Sequence, residues 1–193
     1  MSSQKSRALI FAKKYKFFKK CYLFYNIYIR NYKFFFNNSQ FGEEKIILKL
    51  FKKNFKGNFV DLGCFHPIRQ NNTYKMYRLG WKGINIDLNP LTIDLFNFAR
   101  SKDINICTAI SDKKKTTNLY YLGDLASQNT IEKKHTNFLK SHFGISKKDI
   151  KTRKIKTQKL EDVLARHKFF KIDFMNIDIE GHELKVLLSL IHI

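Results

Sequence analysis

Four apolar runs of the sequence end in polar side chains. Candidate binding and catalytic residues therefore lie at the ends of predicted strands. The runs are NFVDLG, KGINIDLNP, INICTAIS and IDFMNIDIEG, and each is typical of a buried strand. The polar residues and the glycine at their ends are Asp61 and Gly63, then Asp87, then Ser111, then Asp178 and Glu180. In an open parallel sheet, ligands bind beyond the carboxyl ends of the strands. The sequence therefore predicts a ligand site along one edge of a parallel sheet.

The spacing of Asp61, Gly63 and Asp87 favours a nucleoside cofactor that lacks a pyrophosphate. Asp87 comes 26 residues after Asp61, at the end of the next strand, where a carboxylate can accept both hydroxyl protons of a ribose. Gly63 permits the backbone to approach a ligand closely. The residues that follow it are CFHP, without the further glycines that a pyrophosphate site needs. S-adenosylmethionine therefore fits this edge better than NAD.

The elements that position these residues alternate between strands and helices. Helical patterns cover FGEEKIILKLF, NNTYKMYRLG, LTIDLFNFARS, LEDVLARH and HELKVLLSL. Residues 112–150 are polar and rich in lysine, and we interpret them as an insertion with one short strand at TTNLYYLG. Strands that alternate with helices predict βαβ units. The expected fold is α/β, with a mostly parallel sheet and helices on both faces.

Five segments in order resemble the FkbM-type family of S-adenosylmethionine-dependent methyltransferases. They are SQFGEEKIILKLF, NFVDLGCFHPIRQNNTY, YRLGWKGINIDLNP, INICTAIS and IDFMNIDIEGHELKVL, and they span roughly residues 39–191. The resemblance implies a Rossmann-like methyltransferase fold. It also implies transfer of a methyl group, typically to a hydroxyl oxygen of a sugar or of another small or lipid-linked acceptor.

The same resemblance implies roles for individual residues. Those assigned to the cofactor are Asp61 and Gly63 beside its methionine part, Asp87 at the ribose, Ser111 near the adenine, and Gln40 and Glu43 closing over the pocket. Those placed beside the methyl donor and the acceptor are Asp178, Glu180 and His182, in a stretch of the form D-x-E-G-x-E.

This acidic stretch could act in more than one way. A hydroxyl acceptor must lose its proton, and Glu180 or His182 could take it as general base. His182 could instead start a helix with a solvated ring, and the acidic stretch could hold a divalent cation. Because alternate residues of a strand point to opposite faces, we do not expect a metal site. His66 is a second candidate near the pocket mouth, or a loop residue before Pro67.

The formal net charge of +21 in 193 residues indicates a polyanionic partner, unless it reflects a composition rich in Lys, Asn, Ile and Phe throughout. A basic nucleic-acid-binding protein is the alternative function. No RNA-binding sheet motif, zinc finger or clear helix-turn-helix signature supports it. We therefore do not expect a nucleic-acid partner.

Residues 1–38 are predicted to form a basic, aromatic-rich helical extension, and residues 39–193 the methyltransferase domain. The first 40 residues contain nine Lys or Arg and no acid. Apolar residues spaced four and three apart predict one apolar helix face, formed by Phe11, Tyr15, Phe18, Tyr22, Tyr25, Ile29, Tyr32 and Phe36. Residues 8–36 could lie on an anionic membrane, or the face could pack on the domain or on a partner helix.

The cysteines and the N-terminus favour a cytoplasmic protein. Cys21, Cys64 and Cys107 are odd in number and contain no CxxC pair, so neither a disulfide framework nor a zinc site is expected. The sequence shows no signal-peptide pattern and no run of about 18 apolar residues.

The end of the chain departs from the resemblance. Methyltransferases of this architecture ordinarily place further strands after the helix that begins near His182, whereas the sequence ends at Ile193. We therefore expect a domain without its far-edge strands, with the Asp178 strand as an apolar edge. A non-catalytic truncated remnant of a methyltransferase is the third interpretation.

Overall fold

The computed structural model describes residues 15–36, 39, 41–123 and 126–190. Its helices are α1 (Lys16–Phe24), α2 (Glu43–Lys49), α3 (Tyr74–Arg78), α4 (Pro90–Ala99), α5 (Lys133–Phe143), α6 (Leu160–Arg166) and α7 (Glu183–Leu190). Its strands are β1 (Asn58–Leu62), β2 (Lys82–Asp87), β3 (Ile104–Cys107), β4 (Ala109–Ile110), β5 (Thr116–Tyr121), β6 (Lys151–Gln158) and β7 (Phe174–Ile177). A π-helical turn covers Tyr25–Ile29, and 3₁₀ turns cover Tyr32–Phe35 and Lys147–Asp149.

The main sheet has four parallel strands in the order β3-β2-β1-β7. β1 is an inner strand, in which Val60 pairs with Ile84 of β2 and with Met175 of β7. The chain runs outward from β1 to β3 and returns to place β7 on the other side of β1. The strand order therefore reverses between β1 and β7, the place where α/β sheets of this kind bind ligands.

Helices cover both faces of the main sheet. On one face, Val60 packs in a cluster with Val163 of α6 and Val186 of α7. On the other face, Phe59 packs with Met76 of α3. A parallel sheet that is covered on both faces has strands that are largely buried, and in β1 this holds for Phe59, Val60 and Leu62 and also for Asp61. This arrangement confirms the predicted α/β fold with a mostly parallel sheet.

A second sheet has three strands in the order β4-β6-β5, with β6 antiparallel to β5 and parallel to β4. The prediction of one strand over INICTAIS was wrong, because the chain leaves the main sheet after Cys107 and Ala109–Ile110 pairs with β6 instead. Helix α5 and strand β6 were not predicted. Because most of the β6 sequence KTRKIKTQ is polar and exposed, no apolar period marks it.

The N-terminal segment packs on the domain through a face that was not expected. Leu23 and Ile27 are buried against Leu91 and Leu95 of α4, and Lys19 forms a 2.7 Å ion pair with Asp94. The described members of the predicted apolar face are largely exposed, except Tyr22, which packs against this cluster. The helix changes to a π turn after Phe24, so a single helical period does not hold over residues 15–36.

No helix in the described part of the chain is long and apolar enough to cross a membrane.

A buried charge network lies beneath the carboxyl end of β1. The Arg100 guanidinium is completely buried and its Nη2 lies 2.8 Å from Oδ2 of Asp103. Its Nη1 donates to Oδ1 of Asn71 and to Oγ1 of Thr73, both at 3.1 Å. Asn71 and Thr73 in turn donate to the buried Asp61 carboxylate, at 3.1 and 2.7 Å. The loop that follows β1 is therefore attached to the sheet by hydrogen bonds to charged side chains.

We expect Arg100→Ala to lower the free energy of unfolding by about 3–5 kcal/mol, because it leaves Asp103 buried without its cation. Arg78→Ala, at an exposed position of α3, should change it by less than about 0.5 kcal/mol. Urea unfolding followed by circular dichroism measures both values. An Arg100→Ala variant as stable as Arg78→Ala would contradict a structural role for the network.

Candidate active site

Two adjoining pockets open at the carboxyl ends of β1, β2 and β7. The β2-side pocket has a cavity volume of about 60 Å³ and the β7-side pocket one of about 410 Å³, and only the latter is within the range of about 300–1,000 Å³ for small-molecule sites. Its walls at the strand ends include Ile86, Asp87, Leu88, Thr108 and Ile110. The β7-side pocket is lined by several polar side chains, among them Asp61, Gln70, Asn71, Asn72 and Asn176. The two pockets share Gly63, Phe65, Ser127, Asp178 and Glu180.

The segment interpreted as an insertion forms one wall of both pockets. Ala126, Asn129 and Ile131 line the β2-side pocket. His135 and Phe138 of α5 line the β7-side pocket. A ligand in either pocket therefore contacts the part of the chain that separates β5 from β6.

Gly63 lets the ends of β1 and β7 come together. Its φ is +74°, and its N–H donates to the Ile86 carbonyl at 2.8 Å. A Cβ added at this position would lie 1.8 Å from the backbone oxygen of Asp178. The glycine is therefore required for the approach of one backbone to another, whereas the sequence suggested an approach to a ligand.

Asp87 lies at the end of β2 with its carboxylate held by backbone donors. The Phe65 N–H donates to Oδ2 at 3.1 Å, and the Asn89 N–H donates to Oδ1 at 2.7 Å. Desolvation raises the pKa of Asp87 to about 6, against these two hydrogen bonds and with a further contribution from the charge of Asp61. Asn89 also caps α4, since its side chain accepts the Leu91 N–H.

Asp61 is buried, and its carboxylate accepts hydrogen bonds from three side chains. Besides the bonds from Asn71 and Thr73, it accepts a 2.9 Å hydrogen bond from Nδ2 of Asn176 on β7. Its carboxylate thus joins the loop after β1 to the neighbouring strand, at the floor of the β7-side pocket.

Ser111 and His182 contact each other in the interior. Nε2 of His182 lies 2.9 Å from Oγ of Ser111, and Nδ1 lies 3.3 Å from Oε2 of Glu132. Lys185 also reaches Glu132, at 2.5 Å. Ser111 follows β4 of the second sheet, so this contact ties α7 to that sheet. Both ring nitrogens of His182, which is 3% exposed, have partners in this arrangement.

Glu180 lies between the two pockets in an unusual backbone conformation. Its φ is +52°, a region that non-glycine residues rarely adopt, and its carbonyl accepts a 2.7 Å hydrogen bond from Oγ1 of Thr130. Burial, with repulsion from Asp178 and Glu183, raises its pKa to about 7. Oε2 of Glu180 lies 3.0 Å from Nε2 of His135, without hydrogen-bond alignment. Desolvation and the charges of Glu183 and Asp61 also raise the pKa of Asp178.

Comparison with known families places this cleft in context. The sequence profile of the Methyltransferase FkbM domain matches residues 56–192, most of the chain. The chain therefore belongs to the FkbM methyltransferase family. This confirms the predicted family, and methyl transfer is the reaction class that the family supports. No curated protein and no solved structure gives a significant match.

In this FkbM methyltransferase, Glu43 and His66 do not line either pocket. Gln40 lies outside the described residues. Glu43 is in the first turn of α2 and accepts the Phe41 N–H at 2.7 Å, a contact that lowers its pKa together with other local hydrogen bonds, against desolvation. His66 is buried, and its Nδ1 accepts the N–H groups of Ile68 and Arg69.

The sequence interpretation missed several residues of the FkbM cleft. Asn176 is a polar side chain inside the otherwise apolar run IDFMNI, and that interruption was the available signal. Asn71 and Thr73 follow the proline loop, where polar residues are ordinary. His135 lies on α5, which was not predicted. Among the described residues, no group of three or more His, Cys, Asp or Glu side chains could hold a metal ion.

Gly63→Ala should destabilise the fold by about 3 kcal/mol, since it combines a left-handed φ with a clash against the Asp178 carbonyl. Gly144→Ala is a matched control, because Gly144 also has a positive φ, +61°, but has open space at its Cβ. It should cost about 1 kcal/mol. Thermal unfolding of both variants measures the difference, and equal losses would show that the β1–β7 contact is not tight.

Proposed function

We propose that the chain is an S-adenosylmethionine-dependent methyltransferase that methylates a hydroxyl oxygen of a sugar or of another small or lipid-linked acceptor. The observation that carries this proposal is the pairing of two pockets across one wall. One pocket presents Asp87 at the end of β2, and Glu180 stands in the wall that it shares with the second. Family membership supports the methyl-transfer reaction.

The β2-side pocket has the acceptor carboxylate and the apolar side chains that an adenosine group needs. Asp87 is oriented by two backbone N–H groups, and the second lone pairs of its oxygens remain suited to the two ribose hydroxyls. Ile86, Leu88 and Ile110 offer apolar surface for the adenine. Asp178, in the wall shared with the second pocket, adds negative charge toward a cationic ligand. When bound, S-adenosylmethionine supplies a methyl group activated by a positively charged sulfur.

The β7-side pocket suits an acceptor that carries several hydroxyl groups. Its wall contains the side-chain amides of Gln70, Asn72 and Asn176, groups of a type that can both donate and accept hydrogen bonds. Phe138 provides an aromatic surface beside them. This combination supports a sugar-like acceptor better than an apolar one.

Glu180 is the group we assign as general base. Its pKa of about 7 matches the operating range of a base that takes a hydroxyl proton. His135, 3.0 Å away, offers a nitrogen to which the proton can move. His182 is assigned a positioning role, because its ring nitrogens contact Ser111 and Glu132. Alignment of the acceptor oxygen by the amide-rich wall supplies much of the remaining rate.

Binding of S-adenosylhomocysteine tests the cofactor assignment. Asp87→Asn should weaken it about 10-fold to 100-fold, because charged hydrogen bonds to the ribose are lost. Wild-type affinity should fall as the pH drops through about 6, where Asp87 becomes protonated, and the variant should lose this dependence.

Calorimetric titration measures both effects, and Asp162→Asn on α6 is the control. A folded wild-type chain that does not bind S-adenosylhomocysteine would overturn the assignment. Equal binding by wild type and Asp87→Asn would remove Asp87 from the site.

Glu180→Gln tests the base without knowledge of the acceptor. The native pKa of Glu180, about 7, lies above its usual 4.5, so ionisation of this carboxyl costs stability as the pH rises from 4.5 through 7. The variant should therefore be more stable than wild type at about pH 8, by about 1–2 kcal/mol, and the difference should vanish near pH 4.5.

On any hexoside that wild type methylates, Glu180→Gln should be slower by about 10²–10⁴-fold. Glu161→Gln, which removes an exposed partner of Lys159, is the control for both measurements. A Glu180→Gln variant that keeps wild-type activity would exclude Glu180 as the base.

A further inference from the structure

Helix α1 is apolar on two opposite faces, of which the domain covers one. Successive residues of an α-helix are rotated by about 100°, so Lys19 and Leu23 share the face that packs on α4. Phe17 and Phe24 lie on the far side and are 71% and 49% exposed. The contact with the domain therefore does not account for Phe17 and Phe24.

The exposed rings continue along the segment and touch one another. We name this surface the aromatic face; it consists of Phe17, Phe18, Phe24, Tyr25, Tyr28 and Ile29, which are all exposed. Phe17 and Phe18 have ring centroids 5.7 Å apart, and those of Phe24 and Tyr28 are 5.1 Å apart. Monomeric proteins rarely expose contiguous apolar surface of this kind without a partner for it.

Basic residues border the aromatic face. Lys16 and Lys20 are exposed on the flank of α1 between the aromatic face and the packed face. Arg30 and Lys33 are exposed in the turns that follow. Within the first 40 residues no acid offsets these charges. A surface with apolar rings at its centre and cations at its border is complementary to the interface of an anionic bilayer.

The charge distribution distinguishes a lipid surface from nucleic acid. A groove that follows a phosphate backbone needs cations across the contact surface, interleaved with stacking rings. In α1, Lys16 and Lys20 lie on the flank and Lys19 on the packed face, so the aromatic face itself contains no cation. Long lysine side chains on a flank can reach lipid phosphates while the rings enter the boundary between headgroups and acyl chains.

We infer that the aromatic face binds the surface of an anionic lipid bilayer, with α1 lying parallel to the membrane. This binding does not rest on the proposed methyl transfer. It does affect where the cleft lies, because Asn31 of the same segment is 3.3 Å from His66. The residue before His66, Phe65, lines both pockets. The cleft opening is thereby attached to the membrane-binding segment through one short loop.

Co-sedimentation of the full 193-residue chain with vesicles tests this inference. The chain should bind vesicles of phosphatidylcholine and phosphatidylserine in equal amounts, and bind phosphatidylcholine alone at least about tenfold more weakly. The double variant Phe17→Ser and Phe24→Ser should lose at least about tenfold in binding to the mixed vesicles. Lys16→Gln with Lys20→Gln should weaken the preference for the anionic lipid.

Phe170→Ser is the matched control, since Phe170 is 78% exposed and lies outside the segment; it should bind as wild type does. Circular dichroism confirms that each variant is folded. The inference is overturned if wild type does not bind mixed vesicles, or if the Phe17/Phe24 variant binds them unchanged. It is equally overturned if a single-stranded oligonucleotide binds more tightly than the vesicles and competes with them.

Discussion

The position of the cleft depends on the charge balance at one buried guanidinium. Arg100 lies between Asp103 on one side and the Asn71 and Thr73 side chains on the other, and through the latter it supports the Asp61 carboxylate. A carboxylate inside a sheet is tolerated only when its lone pairs are satisfied. Here the loop after β1 satisfies them, so it must fold back over the sheet edge. That path places Gly63 and Phe65 at the wall between the two pockets.

Asp87 and Glu180 lie at the same sheet edge but have different electrostatic surroundings. Asp87 receives two backbone N–H groups that favour its ionised form, whereas Glu180 has negative neighbours in Asp178 and Glu183. The pKa of Asp87 is about 6 and that of Glu180 is about 7. Both pKa values lie above the usual carboxyl range, and in the proposed function the ionised Asp87 would bind the ribose while Glu180 would take the acceptor proton.

The strands of the main sheet could be predicted from the sequence, whereas the segment that forms the wall of the cleft could not. β1 and β2 have an apolar period and end in acids, so both the elements and the edge could be predicted. β6 could not, because it is polar and is stabilised by pairing with β5 rather than by burial. The contact of Ser111 with His182 depends on that second sheet, so it could not be predicted from the sequence. Arg100, at the end of α4, has no sequence signal, since only the tertiary structure brings Asp61 near it.

The hydrogen bond from Thr130 to the Glu180 carbonyl joins the second sheet to the turn at Glu180. Thr130 also pairs its backbone with Tyr120 of β5, at 2.8 and 3.1 Å. The segment that walls the β2-side pocket is thus attached at the same residue to the second sheet and to the backbone of Glu180. A displacement of this wall would therefore also move the backbone at Glu180, because both are attached at Thr130.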